Sequence, residues 1–213
     1  MGMQLRLREL YARDETNTGW TEWGSDDMYV GAVAMELRGP EQKPIVHRIS
    51  PFRVGTFDDG DRTTYNPPRL FDNYGFGPNV FPKNIAVTFV LAEVDEGGTL
   101  NGFFDDLYNQ MEQQEQKMKA DIAAGRGPTN KQEEESFWAE VLKVSIEIGN
   151  ALYERWKGDE IFDPKVVSFS LDSDAHRWNG SKTSPIEEVA FRGHKGTYVL
   201  RYDLHMHFNQ FGT

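Results

Sequence analysis

The sequence predicts a mainly β protein, an antiparallel β-sandwich of seven to eight strands with an inserted two-helix hairpin. Three observations carry the prediction. Near the start, Met3, Leu5 and Leu7 alternate with Gln4, Arg6 and Arg8. Near the end, Tyr198, Leu200, Tyr202, Leu204, Met206 and Phe208 share one strand face, while Arg201, Asp203, His205 and His207 share the other. Between them the spacing turns helical once, with Leu100, Phe103, Phe104, Leu107, Tyr108 and Met111 recurring every three or four residues.

The first alternation defines a half-buried opening strand. Residues 28–38 (MYVGAVAMELR) form a strand with little charge on either face, and residues 45–54 a less regular one interrupted by Pro51. Residues 85–93 (IAVTFVLAE) are apolar on both faces, as a strand covered on both sides requires. The first helix then begins. Beyond Met111 its sequence (EQQEQKMKAD) is polar, which predicts that its second half projects into solvent. Gly125 to Pro128 breaks it, and Thr129 with Gln132, or Asn130 with Glu133, offers a capping box for a second helix. That helix carries Phe137, Val141, Val144, Ile148 and Leu152 on one face and runs to about Trp156, with Gly158 as its stop. Val167, Phe169 and Leu171 mark a strand over 166–171, and the terminal strand follows. Because strands flank the helices, the chain reads as one domain over 1–213 with the hairpin inserted at 99–158. Residues 55–82 hold several prolines and glycines without a sustained period, which predicts a long packed loop.

Composition narrows the function classes. Lys and Arg total 23 against 34 Asp and Glu, a formal charge of −11 that repels phosphate backbones and argues against nucleic acid as a partner. With no cysteine, disulfides and thiolate chemistry are excluded. No stretch is apolar enough for a membrane span, and the N-terminus has no apolar leader. The expectation is a cytoplasmic protein, or one exported without a visible signal, the cytoplasm being favoured.

If the strands run up and down, successive connections fall at alternate ends. The connections 12–26, 55–84 and 172–185 then share one end, while the turn at Gly39-Pro40 and the hairpin occupy the other. All three connections are acidic. They bring Asp14, Glu15, Glu22, Asp26, Asp27, Asp58, Asp59, Asp61, Asp172 and Asp174 towards one another. Calcium takes six to eight oxygen ligands, and loops of this kind can supply them. The ion would also relieve the repulsion between the loops. Asp58-Asp59-Gly60-Asp61 has the oxygen density and glycine turn of a cation loop, but not the spacing of an EF-hand. Solvated acidic turns are the ordinary alternative in so acidic a chain.

This layout resembles the C2-type calcium-binding domains. The run Thr18-Gly19-Trp20-Thr21-Glu22-Trp23-Gly24-Ser25-Asp26-Asp27-Met28-Tyr29 is similar to an acidic T-x-x-W-G-x-D-E-x-Y segment near the start of some bacterial C2-like sandwiches. The likeness implies calcium held by end loops and a binding role. The long helical hairpin departs from an ordinary C2 domain, and no basic patch for docking to lipid is evident in the sequence.

Two further groupings stand out. Asp203, His205 and His207, at i, i+2 and i+4 on the last strand, form a second candidate metal set for zinc or ferrous iron, with the polar solvent face of an edge strand as the plain reading. Trp20, Trp23, Tyr65, Tyr74 and Trp178 fall in the predicted acidic-end loops, where they would either bind carbohydrate or plug the end of the sandwich. No G-x-S-x-G elbow, P-loop or H-E-x-x-H motif is present, so no enzyme is expected. The expected function is a non-catalytic binding or assembly module, calcium-dependent through its acidic loops, with a protein partner or self-assembly. The alternatives are a carbohydrate-recognition module and a structural subunit of a larger bacterial or phage-like assembly.

Overall fold

The computed structural model describes residues 1–15, 26–39, 43–76, 81–94, 99–156, 161–193 and 196–207. Among these residues eight strands form two antiparallel four-stranded sheets, accompanied by two helices. In chain order the strands are β1 (Gly2–Glu15), β2 (Asp26–Arg38), β3 (Lys43–Phe57), β4 (Arg62–Gly75), β5 (Lys83–Glu93), β6 (Lys165–Leu171), β7 (Glu187–Gly193) and β8 (Gly196–His207). Between β5 and β6 lie α1 (Thr99–Asp121), a π-helical turn (Ile122–Arg126) and α2 (Lys131–Trp156). Sheet I has the order β4-β1-β8-β7 and sheet II the order β3-β2-β5-β6.

Strand alternation builds the core between the sheets. Met3, Leu5 and Leu7 of β1, Leu200, Tyr202 and Leu204 of β8, Met28, Val30 and Ala32 of β2, and Ile85, Val87 and Phe89 of β5 belong to one buried cluster. In β1 the inward set shifts from Met3, Leu5 and Leu7 to Leu10 and Ala12, because a register break between Leu7 and Glu9 inserts Arg8 as an extra residue. The other face of sheet II carries Val33, Met35, Leu37, Val90 and Ala92, which pack on Phe103, Phe104, Leu107 and Met111 of α1 and Val141, Ile148 and Leu152 of α2. Strands β2 and β5 are apolar on both faces because both faces are covered. The molecule therefore has three layers: helices, sheet II and sheet I.

Three expectations need correction. The stretch 55–82 is not an irregular loop, because most of it is the end of β3 and the whole of β4. Period two fails there because Tyr65, Asn66, Pro67 and Pro68 bulge opposite Arg8, and Pro is tolerated because β4 is an edge strand. The hairpin does not hang from the end expected, nor does α1 run out into solvent. It leaves β5 beyond Glu93 and returns at Ile161, which bridges to Ala92, so its base shares an end with Asp27 and the turn 58–61. Polar as it is, the second half of α1 keeps Met111 buried and Met118 partly buried against the second core. Finally, β7 adds a strand that Val189 and Phe191 mark by their alternation.

Of the two capping boxes, Asn130–Glu133 forms by half: Glu133 N donates to Asn130 Oδ1 (3.0 Å), while Glu133 Oε2 accepts not from Asn130 but from Thr129 N (2.7 Å). Gly125, at φ 75°, makes the reversal between the helices with a conformation that side-chain-bearing residues avoid.

Candidate functional site

At the end shared by the hairpin base, β1 finishes with Asp14 and Glu15 opposite Thr197 and Gly196, and β2 begins with Asp26 opposite Phe57. The turn Asp58–Asp61 docks there, with Ala12 N donating to Asp61 O (2.9 Å) and Gly60 N to Ala12 O (3.2 Å). Several of its carboxylates are committed. Asp27 receives Arg53 Nε (2.8 Å) and Nη2 (2.7 Å), and these bonds hold its carboxyl below the usual range. Asp61 Oδ2 accepts the Asp58 N–H (3.0 Å), a turn-forming bond. Asp59 remains exposed. Glu22, Trp20 and Trp23 lie outside the described residues.

Asp172 and Asp174 do not join this group. Leu171 pairs with Lys83, and the connection that follows runs back along β8, where Ser184 N donates to Leu204 O and Met206 N to Lys182 O. That places the connection at the opposite end, beside Met3 and Gly75. The up-and-down path assumed for the sequence omitted β4, and one uncounted strand inverts every later end. Tyr65 and Trp178 are likewise separated. Tyr65 packs into the core on β4, while Trp178 packs against the core from the far-end connection, edge-on to His176 at 4.9 Å. Tyr74 is buried between the sheets. The described aromatics of the proposed carbohydrate platform thus do not share a surface.

The far end holds a buried polar cluster that the sequence reading missed. Glu36 of β2 and Lys83 of β5 are both 0% exposed and form an ion pair. Around them, Arg38 Nε donates to Glu36 Oε1 (2.7 Å), His47 Nε2 lies 2.9 Å from Glu36 Oε2, and Lys83 Nζ donates to Gly75 O on β4 (2.8 Å). Burial alone would raise the Glu36 pKa, but the bonds from His47, Arg38 and Lys83 outweigh it and lower the carboxyl to about 2. Burial lowers Lys83, against the pull of Glu36. Tyr74 OH and Asp72 Oδ2 are buried beside this cluster, His47 Nδ1 lies 3.9 Å from Asp72 Oδ2, and burial, reinforced by Asp72 and Glu36, holds the Tyr74 hydroxyl well above its ordinary value. The cluster ties β2 and β5 of sheet II to β4 of sheet I, so its chemistry is that of a lock between sheets. Its sequence signal was a charge in an apolar register: Glu36 follows Met28, Val30, Ala32 and Ala34 on the inward face.

The third grouping is the outer face of sheet I, which neither α1 nor α2 covers. Asp203, His205 and His207 do share it, though β8 is not the edge strand expected but lies between β1 and β7, and each has its own partner. Asp203, fully buried, is held by Arg6 Nε (2.8 Å to Oδ1) and by Arg8. His205 Nδ1 pairs with Thr183 Oγ1 (2.8 Å) and His207 Nε2 with Asn73 Oδ1 (2.7 Å). Burial, then the Arg6 charge, lower the His205 pKa. Among the described residues no group of three or more His, Asp or Glu side chains is arranged to hold a metal ion. By register the same face carries Arg62 stacked on Tyr11 (5.0 Å), Glu9 beside Arg201, and Glu188 bonded to Arg201 (2.8 Å). It is the basic surface that the sequence did not reveal, because its arginines come from four separate strands. The chain matches no family model, no curated protein and no solved structure.

Proposed function

We propose that the chain is a non-catalytic binding or assembly module, a C2-like sandwich that works through the outer face of sheet I. One observation supports this most: in a chain of net charge −11, that face, opposite the helices, gathers Arg6, Arg8, Arg62, Arg192 and Arg201 against Glu9, Glu188 and Asp203. Exposed Leu70 stands beside it on β4 and exposed Ile186 just before β7. Charged and apolar groups mixed on a rigid sheet suit a protein partner. A photo-crosslinking residue at Ala190 or Thr64, both exposed on this face, is expected to trap a discrete product in the cell of origin. The same residue at Asn150, on the exposed side of α2, serves as the comparison. Products no stronger at the sheet positions than at Asn150 would remove the assignment of this face.

The calcium-dependent form of the reading draws support from one placement: Asp14, Glu15, Asp26, Asp58 and Asp59 belong to strand ends and a turn at the same end of the molecule. Ion binding there would order the end loops and raise stability by mass action. Millimolar calcium is then expected to raise the melting temperature by several degrees, reversibly with chelator, and Asp59→Asn to weaken the shift. An unchanged melt at several millimolar calcium would end this form of the proposal and leave the sheet-face reading standing.

A further inference from the structure

We infer that the partner of the sheet I face is the helical layer of a second copy of this chain, docked head to tail. This rests on the binding-module reading and names its occupant. The two outermost layers of the molecule are electrostatic complements. Residues 99–156 carry 11 Asp and Glu against 6 Lys and Arg, a balance of −5. On α2, Glu135, Glu140, Glu147 and Glu154 are exposed, with Lys143 paired to Glu147 (3.7 Å). The opposite face of the molecule bears the arginines. Arg6 and Arg8 share the single carboxylate of Asp203, so one positive charge there is left over. Arg62 and Arg192 are exposed at opposite edges of the sheet.

The exposed large hydrophobics follow the same division. Among the described residues they are Leu70 and Ile186, flanking sheet I, and Ile146, on the outward side of α2. Each face therefore offers an exposed apolar side chain beside its charges. Both faces stand on regular elements fixed by buried cores, so little ordering cost opposes docking. Edge-to-edge strand pairing is a poorer route at β4, whose edge is interrupted by the bulge at 65–68 and by Pro67 and Pro68.

The two faces are different and lie on opposite sides, so the contact is heterologous. Repeated from copy to copy, it closes into a ring or continues as a filament. A net charge of −11 opposes association at long range. At physiological ionic strength, however, screening acts within about 8 Å and leaves touching pairs favoured.

Sedimentation of the purified full chain over micromolar to millimolar concentration, at physiological salt, tests this directly. Species larger than a dimer are expected as concentration rises. Arg62→Glu with Arg192→Glu reverses the sheet face, and Glu140→Lys with Glu147→Lys reverses the exposed α2 group Glu135, Glu140, Lys143, Glu147 and Glu154 from −3 to +1. Each double variant alone is expected to lose association by about tenfold or more, and an equimolar mixture of the two to recover it, because each reversed face meets its complement. All four positions are exposed, so circular dichroism and melting should be unchanged. A wild type monomeric at millimolar concentration overturns the inference. So does a helix-face variant that associates like wild type, which is the signature of a sheet-to-sheet contact, or a mixture that stays monomeric. Ala190 crosslinks to a different protein, with a monomeric chain, would refute the second copy and keep the binding-module reading.

Discussion

Glu36→Leu alone is expected to destabilise the protein by about 3–5 kcal/mol, because it leaves the buried Lys83 ammonium without its counter-ion, and Lys83→Met alone by less, because Glu36 keeps Arg38 and His47. Made together, the two substitutions should cost far less than their sum. An apolar pair of matching volume can replace a buried ion pair with little loss. The cycle is read by urea denaturation, and additivity within experimental error would mean that the two side chains are not coupled. A pH dependence goes with it. The Glu36 carboxyl is near 2 in the folded chain and 4.5 in its ordinary state. A lowered acid contributes stability that is complete above the unfolded pKa and lost as pH falls through the folded one. The contribution, about 3 kcal/mol at 1.36 kcal/mol per unit, should therefore fade between pH 4.5 and 2. Glu36→Gln should flatten that part of the acid-unfolding curve. If the variant and wild type lose stability in parallel over this window, Glu36 is not the group responsible.

The sequence was most readable where one physical constraint acts alone. Strands β1 and β8 announce themselves because alternation follows directly from burial of one face, and β2 and β5 because burial of both faces asks for a continuous apolar run. The helices are equally plain, since Phe103, Phe104, Leu107 and Met111 can face one surface only at helical spacing. Strand β4 was hidden because two constraints compete in it. Inward packing of Tyr65, Phe71 and Tyr74 asks for alternation, while the bulge opposite Arg8 and the prolines break it. That one omission moved Asp172 and Asp174 to the wrong end. Candidate sites defined by ends of strands inherit every error in strand count, whereas Asp203, His205 and His207, defined by a single strand, were placed on one face correctly. The Glu36 lock and the arginine face were illegible for another reason. Their members come from strands distant in sequence, and a single chain does not show which strands are neighbours.

Phe104→Ala should have an effect of comparable size, about 3–5 kcal/mol. Phe104 is fully buried where α1 crosses β2, and the approach is so close that a Cβ at Gly31 would lie 2.5 Å from Phe104 Cζ and 2.9 Å from Pro51 Cα. Gly31 thus faces the ring with nothing between them, and truncating the ring opens a cavity that the backbone of β2 cannot fill. Gly31→Val tests the same contact from the other side. It forces α1 away from sheet II and should destabilise by about 1–3 kcal/mol or more. In both variants the loss should be concentrated in the layer beneath the helices. Amides of α1 and α2 would then exchange faster than those of β1 and β8, which pack only within the other core. Uniform acceleration across all three layers would show that the hairpin and the sheets unfold as one unit. A cost below about 1 kcal/mol for Phe104→Ala would show that the hairpin does not depend on this contact. The result bears on assembly too. The acidic surface proposed to meet a second copy is built on α2, and α2 is held in place by the core that Phe104 completes. Loosening that core should weaken self-association without altering a single charge, which separates correct presentation of the helix face from its sign.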